Sequence, residues 1–240
     1  MKKISFLLFA SLIICISLGT IFLIPQTRLP TLSGKSSLEN ITKNIPQNFT
    51  IVIDPGHGGR DPGKVGTTGT LEKEINLKIA LILKEILEAQ DIDVIMTREE
   101  DKDLSKTSTN LKVSDMKERV AAIQKSDADL VISIHQNSFT SPDVYGAQCF
   151  YHTNSSEGKQ LATILQNQII TSTNQTKIRN IKSNDDYYLL KYSPTPTVIV
   201  ECGFLSNPTE EKLLLTEEYQ RNIAWAIHLG VLQYLNLTYN

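Results

Sequence analysis

The residues best suited to chemistry in this 240-residue chain are two histidines and two glutamates. His57 lies in the glycine-rich segment DPGHGG at 54–59, and His135 closes an apolar run. Catalytic zinc sites combine histidine nitrogen with carboxylate oxygen and keep a fourth position for water. The pattern therefore predicts one zinc ion held by His57, Glu72 and His135, with Glu201 as the catalytic acid and base. Such a set is typical of hydrolysis by an activated water.

Helix phase separates Glu72 from Glu74 as the carboxylate ligand. Glu72 precedes Ile75 and Ile79 by three and seven residues, so it shares their core-facing stripe. Glu74 precedes Lys78 by four residues, which is the spacing of an exposed ion pair. A carboxylate on the buried side needs a partner, and a metal ion is a good one. The alternative for Glu72 is a first-turn charge that the helix dipole stabilises.

Glu201 and His135 are predicted to meet at one edge of a sheet. Glu201 ends the apolar run 197–201, as His135 ends its own run. Polar residues at the carboxyl ends of buried strands face the crevice in which α/β sheets bind ligands. An acid in that position is costly unless it is used or paired. The alternatives are a salt bridge from Glu201 to Arg98 or Arg119, and a core histidine at position 135.

The remaining histidines are weaker candidates for ligands. His152 follows a predicted strand and precedes polar residues, which favours a surface position. His228 lies within a predicted helix, where a packed or exposed histidine is the default. For the segment 54–59, the glycine spacing fits neither the G-x-G-x-x-G nor the Walker phosphate loop, and an ordinary turn stays as the alternative.

Apolar periodicity predicts strands that alternate with helices. We predict strands at 49–54, 92–97, 130–135, 147–152 and 197–201. We predict polar loops at 99–113 and 174–186, and helices at 72–89, 114–125 (with Ser114 as a cap), 155–173, 209–215 and 218–235. This order predicts an α/β fold, a single domain with a mainly parallel twisted sheet covered by helices on both faces.

The N-terminal segment predicts export. Two lysines precede an uncharged apolar run at 4–24, which is long enough to cross a bilayer. Residues 1–24 are therefore interpreted as a signal peptide or an N-terminal membrane anchor, the alternative being a buried helix of a cytosolic protein. Residues 25–48, rich in Pro, Ser and Thr, predict a linker to a catalytic domain at 49–240. The domain would then lie outside the cytoplasm and touch the membrane only through its N-terminal segment.

Composition narrows the classes of partner and fold. The net charge of -2 gives no electrostatic attraction for nucleic acid, so we expect no nucleic-acid partner. Three cysteines are too few for a disulfide framework. Cys15 follows the bulky Ile14 inside the apolar run, which argues against a lipid-attachment site. Cys149 and Cys202 are either single buried thiols or one bridge, and the sequence leaves both open.

Several motifs, in order along about residues 50–238, resemble the zinc-dependent N-acetylmuramoyl-L-alanine amidases of the Amidase_3 family. They are DPGHGG at 54–59, LEK at 71–73 with Asn76-Leu77, Thr97-Arg98, SIHQN at 133–137 and VECGFLSN at 200–207. The resemblance implies His57, Glu72 and His135 as ligands of one zinc ion and Glu201 as the acid and base. It also implies the substrate, the amide between the lactyl group of N-acetylmuramic acid and L-alanine in peptidoglycan.

Two residues beside His135 need separate interpretation. Gln136 stands where a small residue or cysteine is commoner in the family. Strand alternation points Gln136 away from the His135 face, so we expect no effect on the metal. Asn137 is a weaker candidate that could hydrogen-bond the substrate or support His135.

A leader followed by a bare catalytic domain is similar to the germination-specific amidases of spore-forming bacteria. That similarity implies removal of peptides during spore cortex synthesis, so that muramic-δ-lactam can form, and a place in the cell wall or between the forespore membranes. One alternative is a zinc peptidase that cuts within the stem peptide, and another is a non-catalytic wall-binding module. A third is an enzyme that is silent until an activating protein partner completes its site, with 99–113 and 174–186 as candidate surfaces.

Overall fold

A six-stranded sheet runs through residues 49–239, the part of the chain that the computed structural model describes. The predicted leader at 1–24 and linker at 25–48 lie outside the described residues. The strand order is β2-β1-β3-β6-β4-β5. The strands are β1 (Thr50–Pro55), β2 (Asp93–Met96), β3 (Leu130–Asn137), β4 (Gln148–Tyr151), β5 (Lys182–Ser183) and β6 (Thr197–Phe204).

The centre of the sheet is parallel. β1 pairs in parallel with β2 and β3, and β3 pairs in parallel with β6. β4 runs antiparallel to β6 and pairs in parallel with β5 at the edge. Because a parallel sheet is buried on both faces, its strands are continuous apolar runs. The run Ile51, Val52 and Ile53 in β1 follows this rule, since each residue is at most 1% exposed.

Helices cover both faces of the sheet. They are α1 (Glu72–Glu88), α2 (Leu111–Ser126), α3 (Ser156–Ser172), α4 (Tyr188–Tyr192), α5 (Pro208–Leu214) and α6 (Glu217–Tyr239). On one face α1, α3 and α6 share the main apolar core with the central strands. On the other face Val52 and Val131 pack with Val120 and Ile123 of α2 and Leu189 of α4. The predicted single α/β domain with a mainly parallel sheet is confirmed.

Some local predictions differ from the structure. Ser114 does not cap α2, because the helix already begins at Leu111, after Asn110 in a left-handed conformation (φ 53°). The Ser114 hydroxyl instead accepts a hydrogen bond from Lys106 N at 3.3 Å. The segment 174–186 contains β5, and α4 follows it. Both β5 and α4 are too short to show a periodic pattern of apolar residues in the sequence. Within the described residues, no helix has both the length and the apolar character to cross a membrane.

The carboxyl ends of β1, β3 and β6 lie side by side in the sheet. Ser133 pairs with Asp54 on one side and with Ile199 on the other, and His135 pairs with Glu201. The register shifts after His135, where β3 continues to its end. This edge therefore collects the polar residues that follow three buried apolar runs, as the open α/β architecture requires of a ligand site.

Candidate metal centre

His57, Glu72 and His135 converge on one point at this edge of the sheet. Glu72 lies between the two imidazoles, with its Oε2 3.1 Å from His57 Nε2 and its Oε1 2.9 Å from His135 Nδ1. One ligand atom from each residue lies within 4.8 Å of the others. Two imidazoles and one carboxylate are the donors of many catalytic zinc sites, and this spacing fits one ion. The structure thus brings together the three residues that the sequence predicts as ligands.

The burial of Glu72 and Glu74 follows the predicted helix phase. Glu72 is 2% exposed, whereas Glu74 is exposed to solvent. The Glu72 carboxylate accepts hydrogen bonds from Gln136 N at 3.0 Å and from Lys64 N at 2.7 Å. Burial opposes ionisation, but hydrogen bonds from the two histidines outweigh it and hold the pKa of Glu72 below its usual range. The carboxylate is therefore charged and fixed in orientation.

Gln136 also acts on Glu72 indirectly, through a side-chain contact with Asn76. The side chain points to the α1 face, as strand alternation predicts, and its Nε2 donates to Asn76 Oδ1 at 3.1 Å. Asn76 Nδ2 donates to Gly56 O at 3.0 Å and lies 3.5 Å from Glu72 Oε1. Gln136 therefore supports Glu72 through both its main chain and Asn76, which strand alternation alone does not reveal.

Two glycines let the backbone approach the candidate ligands closely. A Cβ on Gly56 would lie 2.1 Å from His135 Nε2. A Cβ on Gly63, where φ is +72°, would lie 2.6 Å from Glu72 Oε2 and 2.7 Å from His57 Cδ2. His57 itself has a φ of 62°, which non-glycine residues rarely adopt. Such a turn needs other contacts to hold it in place.

Two buried arginines supply those contacts by binding the carbonyl oxygens of the turn. Arg119 donates to Pro55 O at 2.9 Å and to His57 O at 2.6 Å. Arg98 donates to Pro55 O at 3.0 Å and to the carbonyl of the following glycine at 3.1 Å. Each arginine is 1% exposed. Neither forms the salt bridge to Glu201 that the sequence left as an alternative.

Asp54 balances the charge of Arg119. Arg119 Nη1 lies 2.6 Å from Asp54 Oδ1, and the hydroxyls of Thr97 and Ser133 each donate to the same carboxylate at 2.7 Å. Burial opposes ionisation, but Arg119 and the two hydroxyls together lower the pKa of Asp54 to about 2. A charged network thus underlies the turn that carries His57.

Replacing Asp54 with asparagine is expected to lower the free energy of unfolding by about 3 kcal/mol at pH 7, because Arg119 loses a buried partner. A carboxyl whose pKa is lowered in the folded state contributes stability above its unfolded pKa and loses it as the pH falls. The stability difference between parent and Asp54→Asn should therefore shrink as the pH falls from the ordinary value of 3.8 to about 2. Urea unfolding across this pH range measures both effects.

Asp91→Asn is the matched control for this substitution. Asp91 is exposed, so the same chemical change should alter the free energy of unfolding by less than about 0.5 kcal/mol. An Asp54→Asn protein as stable as the parent at pH 7 would show that the buried ion pair contributes no net stability.

Asp61 is a site residue that the sequence analysis missed. Its Oδ2 lies 2.9 Å from Nδ1 of His57, the ring nitrogen opposite the one that faces Glu72. A carboxylate on the far nitrogen of a metal-binding histidine fixes the ring and raises its basicity. The available signal was the position of Asp61, four residues after His57 in the same loop.

The loop that precedes α1 is anchored by the C-terminal part of the chain. Glu211, buried on α5, accepts hydrogen bonds from Thr68 N at 3.1 Å, from Thr68 Oγ1 at 2.8 Å and from the Thr67 hydroxyl. The same loop provides the main-chain donor of Lys64 to Glu72. The position of Glu72 is therefore tied to a contact between residues 143 positions apart.

Glu201 lies beside the three candidate ligands as a buried acid. It is opposite His135 in the register of β3 and β6, and it is 7% exposed. Its Oε2 has no hydrogen-bond partner within residues 49–239. Burial raises the pKa of Glu201 to about 7, and the charge of Glu72 adds to the shift, against attraction from His135 and His57. A carboxyl with this pKa can both take and give a proton near neutral pH.

The four residues open into a cleft of about 510 Å³. Asn137 lines this cleft and accepts a hydrogen bond from Ser138 N at 2.8 Å through its side-chain oxygen. Another wall comes from Tyr187, Tyr188 and Leu189, at the start of α4. The sequence predicts neither α4 nor this wall, because the helix has only five residues.

The remaining histidines and cysteines lie away from the ligands. His152 faces an exposed aspartate at 3.6 Å, and His228 is buried against Trp225 with ring centroids 4.9 Å apart. Cys149 and Cys202 are buried free thiols, so the bridge that the sequence left open is absent.

Fold and site together define an α/β protein with a candidate metal centre and a neighbouring buried acid at the carboxyl edge of its sheet. A family model described as N-acetylmuramoyl-L-alanine amidase, Amidase_3, matches residues 51–233. The chain belongs to this family of hydrolases, as its motifs predict. The family is generally zinc-dependent, and the His57, Glu72 and His135 group is able to hold a metal ion.

Individual relatives agree with the family assignment. The chain is 39% identical over 188 residues to a germination-specific N-acetylmuramoyl-L-alanine amidase of Bacillus subtilis strain 168, covering 77% of this chain and 78% of that protein. It is similar to the CwlD amidase from Clostridioides difficile, solved in complex with the GerS lipoprotein, with a TM-score of 0.77, 42% identity and coverage of 79% and 100%. An N-acetylmuramoyl-L-alanine amidase from Clostridium difficile 630 gives a TM-score of 0.72, 34% identity and coverage of 79% and 97%.

Proposed function

We propose that this chain is a zinc-dependent amidase that cleaves the bond between the lactyl group of N-acetylmuramic acid and L-alanine in peptidoglycan. The observation that carries the proposal is the buried Glu201 carboxyl beside His57, Glu72 and His135 at one sheet edge. Membership of the amidase family and the identity to a germination-specific amidase support the choice of bond.

In this proposal, three side chains bind the metal ion and a fourth transfers the protons. His57, Glu72 and His135 would hold the zinc ion, which when bound would supply Lewis acidity toward the water and the lactyl carbonyl. Glu201 takes a proton from the attacking water as the water oxygen bonds to the carbonyl carbon. The same carboxyl gives that proton to the alanine nitrogen as the carbon–nitrogen bond breaks. Asn137, which lines the cleft, is proposed to hydrogen-bond the substrate.

Product analysis tests the proposal. The full chain, supplied with zinc and peptidoglycan, is expected to release intact stem peptides with a new N-terminal alanine, detected by mass spectrometry. Fragments cut between amino acids of the stem would instead indicate a zinc peptidase. Peptidoglycan that is bound but chemically unaltered would favour a non-catalytic wall-binding module.

We propose that residues 49–240 form the catalytic domain and that it is exported. Support comes from the lysines and apolar run at 1–24, followed by the linker composition of 25–48. Export also matches the substrate, which lies outside the cytoplasmic membrane. Alkaline phosphatase fused after residue 240 folds to an active enzyme only outside the cytoplasm, so the fusion should be active in sporulating cells. A stable but inactive fusion would contradict this arrangement.

We propose that the cleavage serves the spore cortex, where removal of the stem peptide precedes formation of muramic-δ-lactam. The germination-specific relative supports this role. Cortex from a strain that lacks this chain is expected to contain no muramic-δ-lactam on muropeptide analysis. Normal lactam content in that strain would place the activity elsewhere in the wall.

We propose that a protein partner activates the site. The similar Clostridioides difficile amidase was solved in complex with the GerS lipoprotein, which supports this proposal for the present chain. The segments 99–113 and 174–186 are the candidate contact surfaces. Release of stem peptides by the purified chain should increase when extract of sporulating cells is added, and an unchanged rate would contradict the requirement.

A further inference from the structure

The cleft has two chemically different sides, which the strand order separates. Lys64 lies in the loop after β1, and Lys112 lies in the first turn of α2, with its Nζ 4.0 Å from Asp61. Tyr187 lies over β4, with its ring centroid 5.5 Å from that of Phe150. Since β3 and β6 separate β1 from β4, Lys64 and Tyr187 border opposite sides of the candidate metal centre.

The ammonium group of Lys64 is available to a ligand. The Lys64 main chain donates to Glu72 Oε2 at 2.7 Å, which fixes its backbone next to the metal ligands. The side chain is exposed on the cleft, and within residues 49–239 its Nζ has neither a hydrogen bond nor an ion pair. Lys112 is also free to turn toward the cleft, because its side chain is 80% exposed and meets Asp61 only at 4.0 Å.

Most acids of the cleft are already paired inside the protein. Asp54 and Asp115 both pair with Arg119 at 2.6 Å, and Asp61 pairs with His57 at 2.9 Å. These carboxylates therefore have closer partners than the lysines. The positive charges of Lys64 and Lys112 are therefore left to face a ligand in the cleft.

We propose that Lys64 and Lys112 form a cationic rim that binds the carboxylates of the stem peptide. The inference rests on the proposed amidase function and adds a preference to it. The residue after the alanine in the stem is D-glutamate, whose α-carboxyl is free in some peptidoglycans and amidated in others. A rim beside Glu72 and Asp61 is placed to meet this group, and it selects the free acid over the amide. The uncharged sugar then occupies the side of Tyr187.

Two disaccharide tripeptides that differ only in this carboxyl provide the test. Their dissociation constants are measured by calorimetry with zinc present, on the full chain carrying Glu201→Gln so that turnover does not interfere. The acid should bind about 10-fold more tightly than the amide, the ratio that a charged hydrogen bond of about 1.4 kcal/mol produces. The ratio should fall with added salt, because exposed charges are screened.

Substitutions of the two lysines test which side chain produces the preference for the free acid. Adding Lys64→Gln should weaken binding of the acid about 5-fold and leave binding of the amide unchanged. Lys112→Gln should weaken binding of the acid about 2-fold, because its side chain is 80% exposed and an ion pair there contributes less. Lys117→Gln is the matched control, since it lies on the same helix outside the cleft lining and should change neither constant.

The inference and the proposed function fail in different ways. Equal affinity of the parent rim for acid and amide, or a preference that survives both lysine substitutions, would overturn the cationic rim. The amidase proposal fails separately if the chain with Glu201 intact releases no alanine-terminated peptide from either compound, whatever their affinities.

Discussion

Replacing Glu201 with glutamine is expected to lower the turnover number for stem-peptide release by about 100- to 10,000-fold, the usual contribution of general acid–base catalysis. The amide of glutamine can neither take the proton of the attacking water nor give one to the alanine nitrogen. Glutamine has nearly the shape of a protonated glutamate, and Glu201 has a pKa of about 7, so the buried position should accept it. Zinc content and the stability of the fold should be unchanged.

Steady-state peptide release and metal analysis of the same preparation separate these effects. Glu217→Gln is the matched control, because its side chain is 74% exposed and lies outside the cleft lining. Full activity in Glu201→Gln with zinc bound would remove the acid and base role from this residue. Loss of zinc together with activity would instead show that Glu201 belongs to the ligand set.

Replacing Glu72 with alanine is expected to remove the metal. The substitution leaves two imidazoles without the carboxylate that lies between them at 3.1 and 2.9 Å. Loss of a partner outside the ligand set already costs about 10- to 100-fold in metal affinity, and loss of a ligand itself should cost more. After dialysis, zinc should fall from one ion per chain to nearly none, and turnover should be abolished.

Glu74→Ala provides the control for helix phase. It lies two residues away on the exposed side of α1 and should keep both zinc and activity. If Glu74→Ala lost the metal and Glu72→Ala retained it, the geometry of the centre described above would be wrong. Glu72→Gln, which keeps the volume of the side chain, and circular dichroism of each metal-free protein show whether zinc loss reflects the site or a failure to fold.

The strands and helices that carry a long apolar pattern could be predicted from the sequence. Buried apolar runs at 51–53, 130–134 and 198–200 indicate parallel strands, and the intervening periodic segments indicate helices. The candidate site residues follow from the same logic, because His135 and Glu201 end their runs and helix phase selects Glu72. These positions depend on local pattern, which a single sequence contains.

The supporting contacts could not be predicted, because they depend on where main-chain atoms lie in the folded protein. Arg98 and Arg119 bind carbonyl oxygens of a turn about 40 and 60 residues away, and a carbonyl has no signature in the sequence. Asp61 lies four residues after His57, and this spacing alone is compatible with several different roles for a loop aspartate. The α4 helix, Tyr188–Tyr192, has five residues, which is too short for a periodic pattern.

The anchoring of the loop before α1 by Glu211 has a consequence for the timing of assembly. Thr68 and Glu211 are 143 positions apart, and both Glu211 and Glu201 lie in the last fifth of the chain. Contacts this distant in sequence form only after most of the chain has been made and collapsed. The loop that carries the Lys64 donor to Glu72 should therefore stay unanchored until the last fifth of the chain has been made. The candidate metal centre should form late in folding, only after α5 has packed against that loop.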